Sequence, residues 1–122
     1  GNLVIKLDVE GFETRALRGF ERTLTTHHPL VITELNREML IAAGSSPFEL
    51  FQEMHDRGYR AHGFDSRAAI IRHRWPVLWH VPTTGPRMPR DIAWIHPDSP
   101  AAARLSPFIP SSPPPGAPGA AR

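Results

Sequence analysis

The sequence predicts an α/β fold built on a partial doubly wound sheet. Three observations predict it: short β-branched runs end abruptly at acidic residues, apolar residues between them recur at helical spacing, and the two kinds of segment alternate through short linkers. Leu3-Val4-Ile5-Lys6-Leu7 is nearly continuous in apolar character and stops at Asp8, the pattern of a strand buried on both faces of a parallel sheet. Beyond Gly11, Phe12, Ala16, Phe20 and Leu24 recur every four residues with Leu17 beside them, which predicts one helix over 12–25 with a single buried stripe. Pro29, after the His27-His28 pair, stops that helix, and Leu30-Val31-Ile32-Thr33 forms a second strand ending at Glu34.

Residues Asn36 to Ala43 predict a short helical turn closed by Gly44. The next helix is the best marked in the chain: Ser46 caps it, Pro47 takes the first helical position, Glu49 completes a Ser-x-x-Glu box, and Gly58 follows the end. Phe48, Phe51 and Met54 are expected as its buried stripe. Tyr59 to Phe64 and Ile92 to Ile95 read as further strands, separated by an arginine-rich stretch broken by Pro76, Pro82, Pro86 and Pro89. Eight of the 14 prolines lie beyond His96. The expected organisation is therefore one α/β domain over 1–96 and a Pro/Ala/Ser-rich tail over 97–122, whose three large apolar residues (Leu105, Phe108, Ile109) bury too little surface to order it.

At 122 residues and 40% hydrophobic content, the chain holds one small core and excludes a large multidomain enzyme. The absence of cysteine removes disulfides, thiolate nucleophiles and cysteine-ligated zinc, and makes a reducing, cytoplasmic setting the expectation. No apolar run approaches the roughly 20 residues that span a bilayer, so no membrane span is expected. The net charge of +2 is unevenly spread, with five basic against nine acidic residues before position 57 and nine against three from there on. The seven histidines lack ligand spacing, so no metal site is expected. Trp75, Trp79 and Trp94 among Arg72, Arg74, Arg87 and Arg90 offer stacking and charge for single-stranded nucleic acid. No RNA-binding motif accompanies them, and tryptophans more often close a small core; nucleic acid is not expected as a partner. The same basic stretch also suits a cover over an anionic acceptor.

Ligands of open α/β sheets bind beyond the carboxyl ends of the parallel strands. Here those ends are acidic: Asp8-Val9-Glu10-Gly11 after the first strand and Glu34-Leu35-Asn36 after the second. Three carboxylates and a carboxamide on one rim can grip a polar ligand or take a proton from a hydroxyl. Glu13 reads instead as a helix N-terminal charge, worth about 0.3–1 kcal/mol.

The run Ile5-Lys6-Leu7-Asp8-Val9-Glu10-Gly11-Phe12-Glu13, followed by Leu17-Arg18-Gly19, Pro29 to Asn36 and Gly58-Tyr59, resembles the C-terminal half of the FkbM-type methyltransferases over residues 1–64, and the segment from Ile92 to Pro97 looks like the family's last strand. The resemblance implies a Rossmann-like class I methyltransferase sheet. It implies S-adenosylmethionine as methyl donor and, as acceptor, a hydroxyl of a sugar, polyketide or other small-molecule or glycan compound. It places Asp8 as catalytic base or orienter and as a partial cofactor contact, Glu10 as the second catalytic candidate, and Glu34 and Asn36 as substrate-binding residues.

The family's glycine-rich cofactor loop is not in this sequence, since only seven residues precede Asp8 and no Gly-x-Gly cluster occurs in 1–96. A sheet lacking its N-terminal cofactor-binding half is therefore expected, with the cofactor half upstream of Gly1. The first strand then keeps an exposed edge available for pairing. The alternative reading is a non-catalytic remnant or interaction module of the same fold.

Overall fold

The computed structural model describes residues 3–64, 79–80 and 90–109. Strand β1 (Val4–Leu7) leads through helices α1 (Glu13–Gly19) and α2 (Glu21–His27) to β2 (Leu30–Glu34). Helices α3 (Arg37–Ala42) and α4 (Pro47–Asp56) then precede β3 (Arg60–Phe64), β4 (Trp79–His80) and β5 (Asp91–Ile95), and α5 (Ala102–Leu105) runs into a 3-10 turn at Ser106–Phe108. One sheet joins the five strands of the described residues in the order β1-β2-β5-β3-β4. β1 and β2 are parallel, while β5 lies between β2 and β3 and is antiparallel to both. The α/β class is as expected, in a mixed rather than purely parallel sheet.

The faces of the sheet are covered by different means. Val31 of β2, Ala61 of β3, and Ile92 and Trp94 of β5 point toward α1 to α4, where Leu17, Leu24, Leu40, Leu50, Phe51 and Met54 complete the main core. On the opposite face, Ala93 and Ile95 pack with Leu30, Ala102, Leu105 and Ile109. The described part of the segment beyond Pro97 is thus folded onto the sheet, contrary to the expectation of a disordered tail starting there. Leu105 and Ile109 bury little between themselves, but a waiting apolar face on β2 and β5 supplies the other half of the contact. Residues 110–122, with the triple proline, lie outside the described residues.

β1 differs from its expectation. It alternates, with Ile5 and Leu7 turned to the core and Val4 and Lys6 exposed, so it is buried on one face only. It is an edge strand, and Leu3 and Val4 remain about half exposed.

The helix expected over 12–25 is two helices. Phe20 takes φ −94° and ψ 11° at their junction, and its N–H is shared between the carbonyls of Ala16 and Leu17. The break follows Gly19, a weak helix former, and it re-aims the stripe: Glu13, Thr14, Leu17 and Leu24 are buried while Phe12 and Phe20 are exposed. Helix α4 keeps its expected bounds, with Ser46 Oγ accepting from Glu49 N–H at 3.1 Å. Leu50 rather than Phe48 joins Phe51 and Met54 in the core, Phe48 being 66% exposed. The Glu49 carboxylate is drawn to Arg18 Nη2 at 2.7 Å, tying α4 to α1.

Candidate functional site

The turn after β1 is tight. Glu10 and Gly11 take successive positive φ values of 50° and 99°, and Phe12 N–H bonds back to the Val9 carbonyl. A Cβ on residue 11 would lie 2.2 Å from the Met39 carbonyl oxygen, so only glycine lets this turn rest against α3. Glu10 is a non-glycine residue in the left-handed region, a conformation of the kind that concentrates at functional sites.

The parallel register sets Leu7 beside Thr33, so Asp8, just past β1, and Glu34, the last residue of β2, stand at the same end of the sheet. Asn36 caps α3, its Oδ1 accepting from Met39 N–H at 3.1 Å. Asp8, Glu10, Glu34 and Asn36, the four residues singled out from the sequence, line one cavity of about 270 Å³ together with Gly11, Glu13, Met39 and Arg90. That volume suits a single small ring or group rather than an extended ligand.

Two further side chains line the cavity: Arg90, from the basic stretch expected to suit an anionic acceptor, and Glu13, expected as a helix-terminal charge. Arg90 Nε stands 3.4 Å from Glu34 Oε1, with the guanidinium more than half exposed. It arrives because β5 pairs with β2 and Leu35 N–H bonds the Arg90 carbonyl. Glu13 is 3% exposed, and its Oε2 has no hydrogen-bond partner among the described residues. A helix-terminal charge on the surface does not account for that burial. The apolar residues three and four positions further along the same face, Ala16 and Leu17, carried the only signal that position 13 faces inward.

Among the described residues, the cavity wall thus holds four carboxylates and one guanidinium. Asp8 and Glu10 are exposed, Glu34 is partly buried and Glu13 forms the floor. Such a wall accepts hydrogen bonds from hydroxyl or ammonium groups, and its exposed carboxylates can receive a proton from a hydroxyl held among them.

A second assembly sits at the opposite end of the sheet, where β2 and β3 start and β5 ends. His28 and His96 stack face to face with ring centroids 3.8 Å apart and planes 9° apart, and Tyr59 meets His96 edge-on. With Asp98 they bring three ligand-type atoms within 4.8 Å of one another, a grouping that residue spacing does not reveal. Parallel rings do not aim their lone pairs at one ion, and His96 Nδ1 already accepts from Asp98 N–H at 3.0 Å. A cavity of about 320 Å³ beside it is lined by His55, Gly58, Tyr59 and Arg60.

Of the tryptophans weighed for nucleic acid, Trp94 is fully buried and bonded to Thr33, so it is a core residue. Trp75, Arg72, Arg74 and Arg87 lie outside the described residues. No helix among the described residues is long and apolar enough to cross a membrane.

Residues 4–61 match the family model described as the methyltransferase FkbM domain. The match begins with β1, includes every residue of the acidic cavity except Arg90, and ends inside β3. No curated protein and no solved structure matches the chain.

Proposed function

Proceeding from a methyltransferase FkbM domain over residues 4–61, we propose that this chain carries the acceptor-side rim of an S-adenosylmethionine-dependent O-methyltransferase acting on a hydroxyl of a sugar, polyketide or glycan-type compound. One observation carries the reading: Asp8, Glu10, Glu34 and Asn36, from two separate strand ends, share one cavity beyond the carboxyl ends of parallel strands.

When bound, S-adenosylmethionine supplies an electrophilic methyl group with a sulfonium leaving group. The excess of negative charge among the described residues of the wall fits such a cation, so these residues fit the transferring end of the donor. The chain's own contribution is to hold the acceptor. Asn36, its Oδ1 engaged by the α3 cap, offers Nδ2 as a donor, and Glu34 accepts from a neighbouring hydroxyl. Asp8 receives the proton that the acceptor oxygen loses as its bond to the methyl forms, and Glu10, held beside it by the strained turn, is the second candidate.

The test is methyl transfer by the full-length protein to a panel of hydroxylated acceptors, with Asp8→Asn and Glu10→Gln. Asp8→Asn should lower kcat by about 10²–10⁴. Full activity in the Asp8→Asn, Glu10→Gln double variant would show the assigned roles to be wrong. The half-exposed Leu3 and Val4 on the β1 edge favour the second reading, an interaction module. A partner recovered on that edge, with no methyl transfer to any acceptor, would support it.

A further inference from the structure

The turn that leaves β5 is clasped by one imidazole. His96 Nδ1 accepts from Asp98 N–H at 3.0 Å, and the His96 carbonyl accepts from Ser99 N–H at 2.9 Å. Ser99 is buried and launches α5, its Oγ accepting from Ala101 N–H and its carbonyl from Ala102 N–H. From there Ala102, Leu105 and Ile109 cover Leu30, Ala93 and Ile95 on the second face of the sheet. So thin an apolar cover depends on the turn that aims it.

The ring is held on its other sides as well. One face stacks on His28 at 3.8 Å, Tyr59 meets it edge-on, and its Nε2 side lies against Gly58, where a Cβ would come within 2.7 Å. A backbone N–H donating to Nδ1 requires that nitrogen to be unprotonated, so the neutral ring carries its proton on Nε2. A second proton must go to Nδ1, where it meets the Asp98 N–H and ends that bond. Charging the ring therefore undoes the clasp of the turn.

The surroundings weigh against the charged ring. His28, at the C-cap of α2, repels it, and the Tyr59 hydroxyl is neutral and donates to the Pro29 carbonyl. His55 and Arg60 line the adjoining cavity, Arg57 is paired with Glu53 and Glu21, and α5 brings Arg104. The Asp98 carboxylate favours the charged ring, but burial and His28 outweigh it and hold the imidazole below its usual 6.5.

We propose that His96 is a pH-sensitive latch whose protonation releases segment 97–109 from the sheet and uncovers Leu30, Ala93 and Ile95, while the main core stays folded. In the released state the ring is hydrated and binds its proton with ordinary affinity, so that state gains population as pH falls through 6.5. Above that value the neutral ring keeps the turn closed. Uptake of one proton raises the open-to-closed ratio by at most about tenfold per pH unit.

Hydrogen–deuterium exchange of the full chain from about pH 7.5 to 5.5, corrected for intrinsic rates, tests the latch. The amides of Ser99, Ala102 and Leu105 should exchange severalfold faster at the acidic end, and those of α4 should not. His96→Asn places an amide oxygen where Nδ1 stood, keeps the bond from Asp98 N–H and does not titrate, so its segment should exchange slowly throughout. His96→Ala should exchange fast throughout. In the wild-type chain, the His96 imidazole signal followed by NMR should titrate with the same midpoint as the exchange. Exchange that ignores pH in the wild type, α4 exchanging in step with the segment, a pH response retained by His96→Asn, or separate midpoints would each overturn the proposal.

Discussion

Trp94 Nε1 donates a hydrogen bond to Thr33 Oγ1 at 2.9 Å, both side chains fully buried, across the antiparallel pair of β5 and β2. Trp94 stands opposite Val31 in the register, so Thr33 is its diagonal neighbour on the same sheet face. The bond locks β5 to the strand that ends in Glu34, and thereby sets where Arg90 reaches the cavity.

Thr33→Val keeps the shape and removes the acceptor, leaving a buried indole N–H unpaired. The expected loss is about 1–3 kcal/mol, read by urea unfolding. A change below about 0.5 kcal/mol would mean that the pair contributes nothing to β5 docking.

Gly11 and Gly44 both have positive φ, 99° and 83°, but only Gly11 is crowded by backbone. Gly44→Ala should cost about 1 kcal/mol from conformation alone. Gly11→Ala adds collision with the Met39 carbonyl and should cost clearly more, shifting NMR signals of Glu10 and Asn36 with it. Equal Tm values for the two variants would contradict the close packing of the turn on α3.

Glu53 joins two helices through arginine, accepting from Arg57 Nη1 at 2.8 Å and from Arg18 Nε at 2.7 Å. Arg57 also pairs with Glu21 of α2. The hydrogen bond from Arg57, aided by Arg18, holds the Glu53 carboxyl below its usual 4.5 against the opposing pull of burial. A lowered folded pKa means stabilisation that is present above pH 4.5 and lost as pH falls through the folded value. The stability gap between wild type and Glu53→Gln, about 1–2 kcal/mol at pH 7, should close on acidification below that point. A gap independent of pH would show that the ionised form is not what matters.

Burial pushes the His96 imidazole below its usual 6.5, and the stacked His28 pushes the same way against the opposite pull of Asp98. The folded state therefore resists protonation, so this contribution is intact above pH 6.5 and declines as pH falls through it. His96→Phe should flatten the stability profile between about pH 5 and 7. Retention of the wild-type slope would place its origin elsewhere.

Much of the acidic rim was legible before any fold was known. Strands that stop at Asp8 and Glu34, a capped helix at Ser46 and a cap at Asn36 are local events, decided by neighbouring residues and by backbone propensity. Glu13 reads from the sequence only as a helix-terminal charge, and Arg90 only as one arginine of a basic stretch; what brings Arg90 to Glu34 is strand pairing across more than fifty positions.

Where each apolar stripe points was likewise beyond local pattern. Helical spacing names Phe12, Phe20 and Phe48 as core beside Leu17 and Leu24, yet a helix buries only the face its neighbours cover: Leu17 and Leu24 are buried, the three phenylalanines are exposed, and Leu50 takes the place of Phe48. The segment after Pro97 shows the same dependence: Leu105 and Ile109 are too few to form a core but enough to close one that β2 and β5 have already built. The sequence by itself determined the first two strands, the capped helix α4 and the acids at the ends of those strands. The tertiary structure alone decided which of those residues meet, because burial and charge pairing are properties of surfaces brought together from distant parts of the chain.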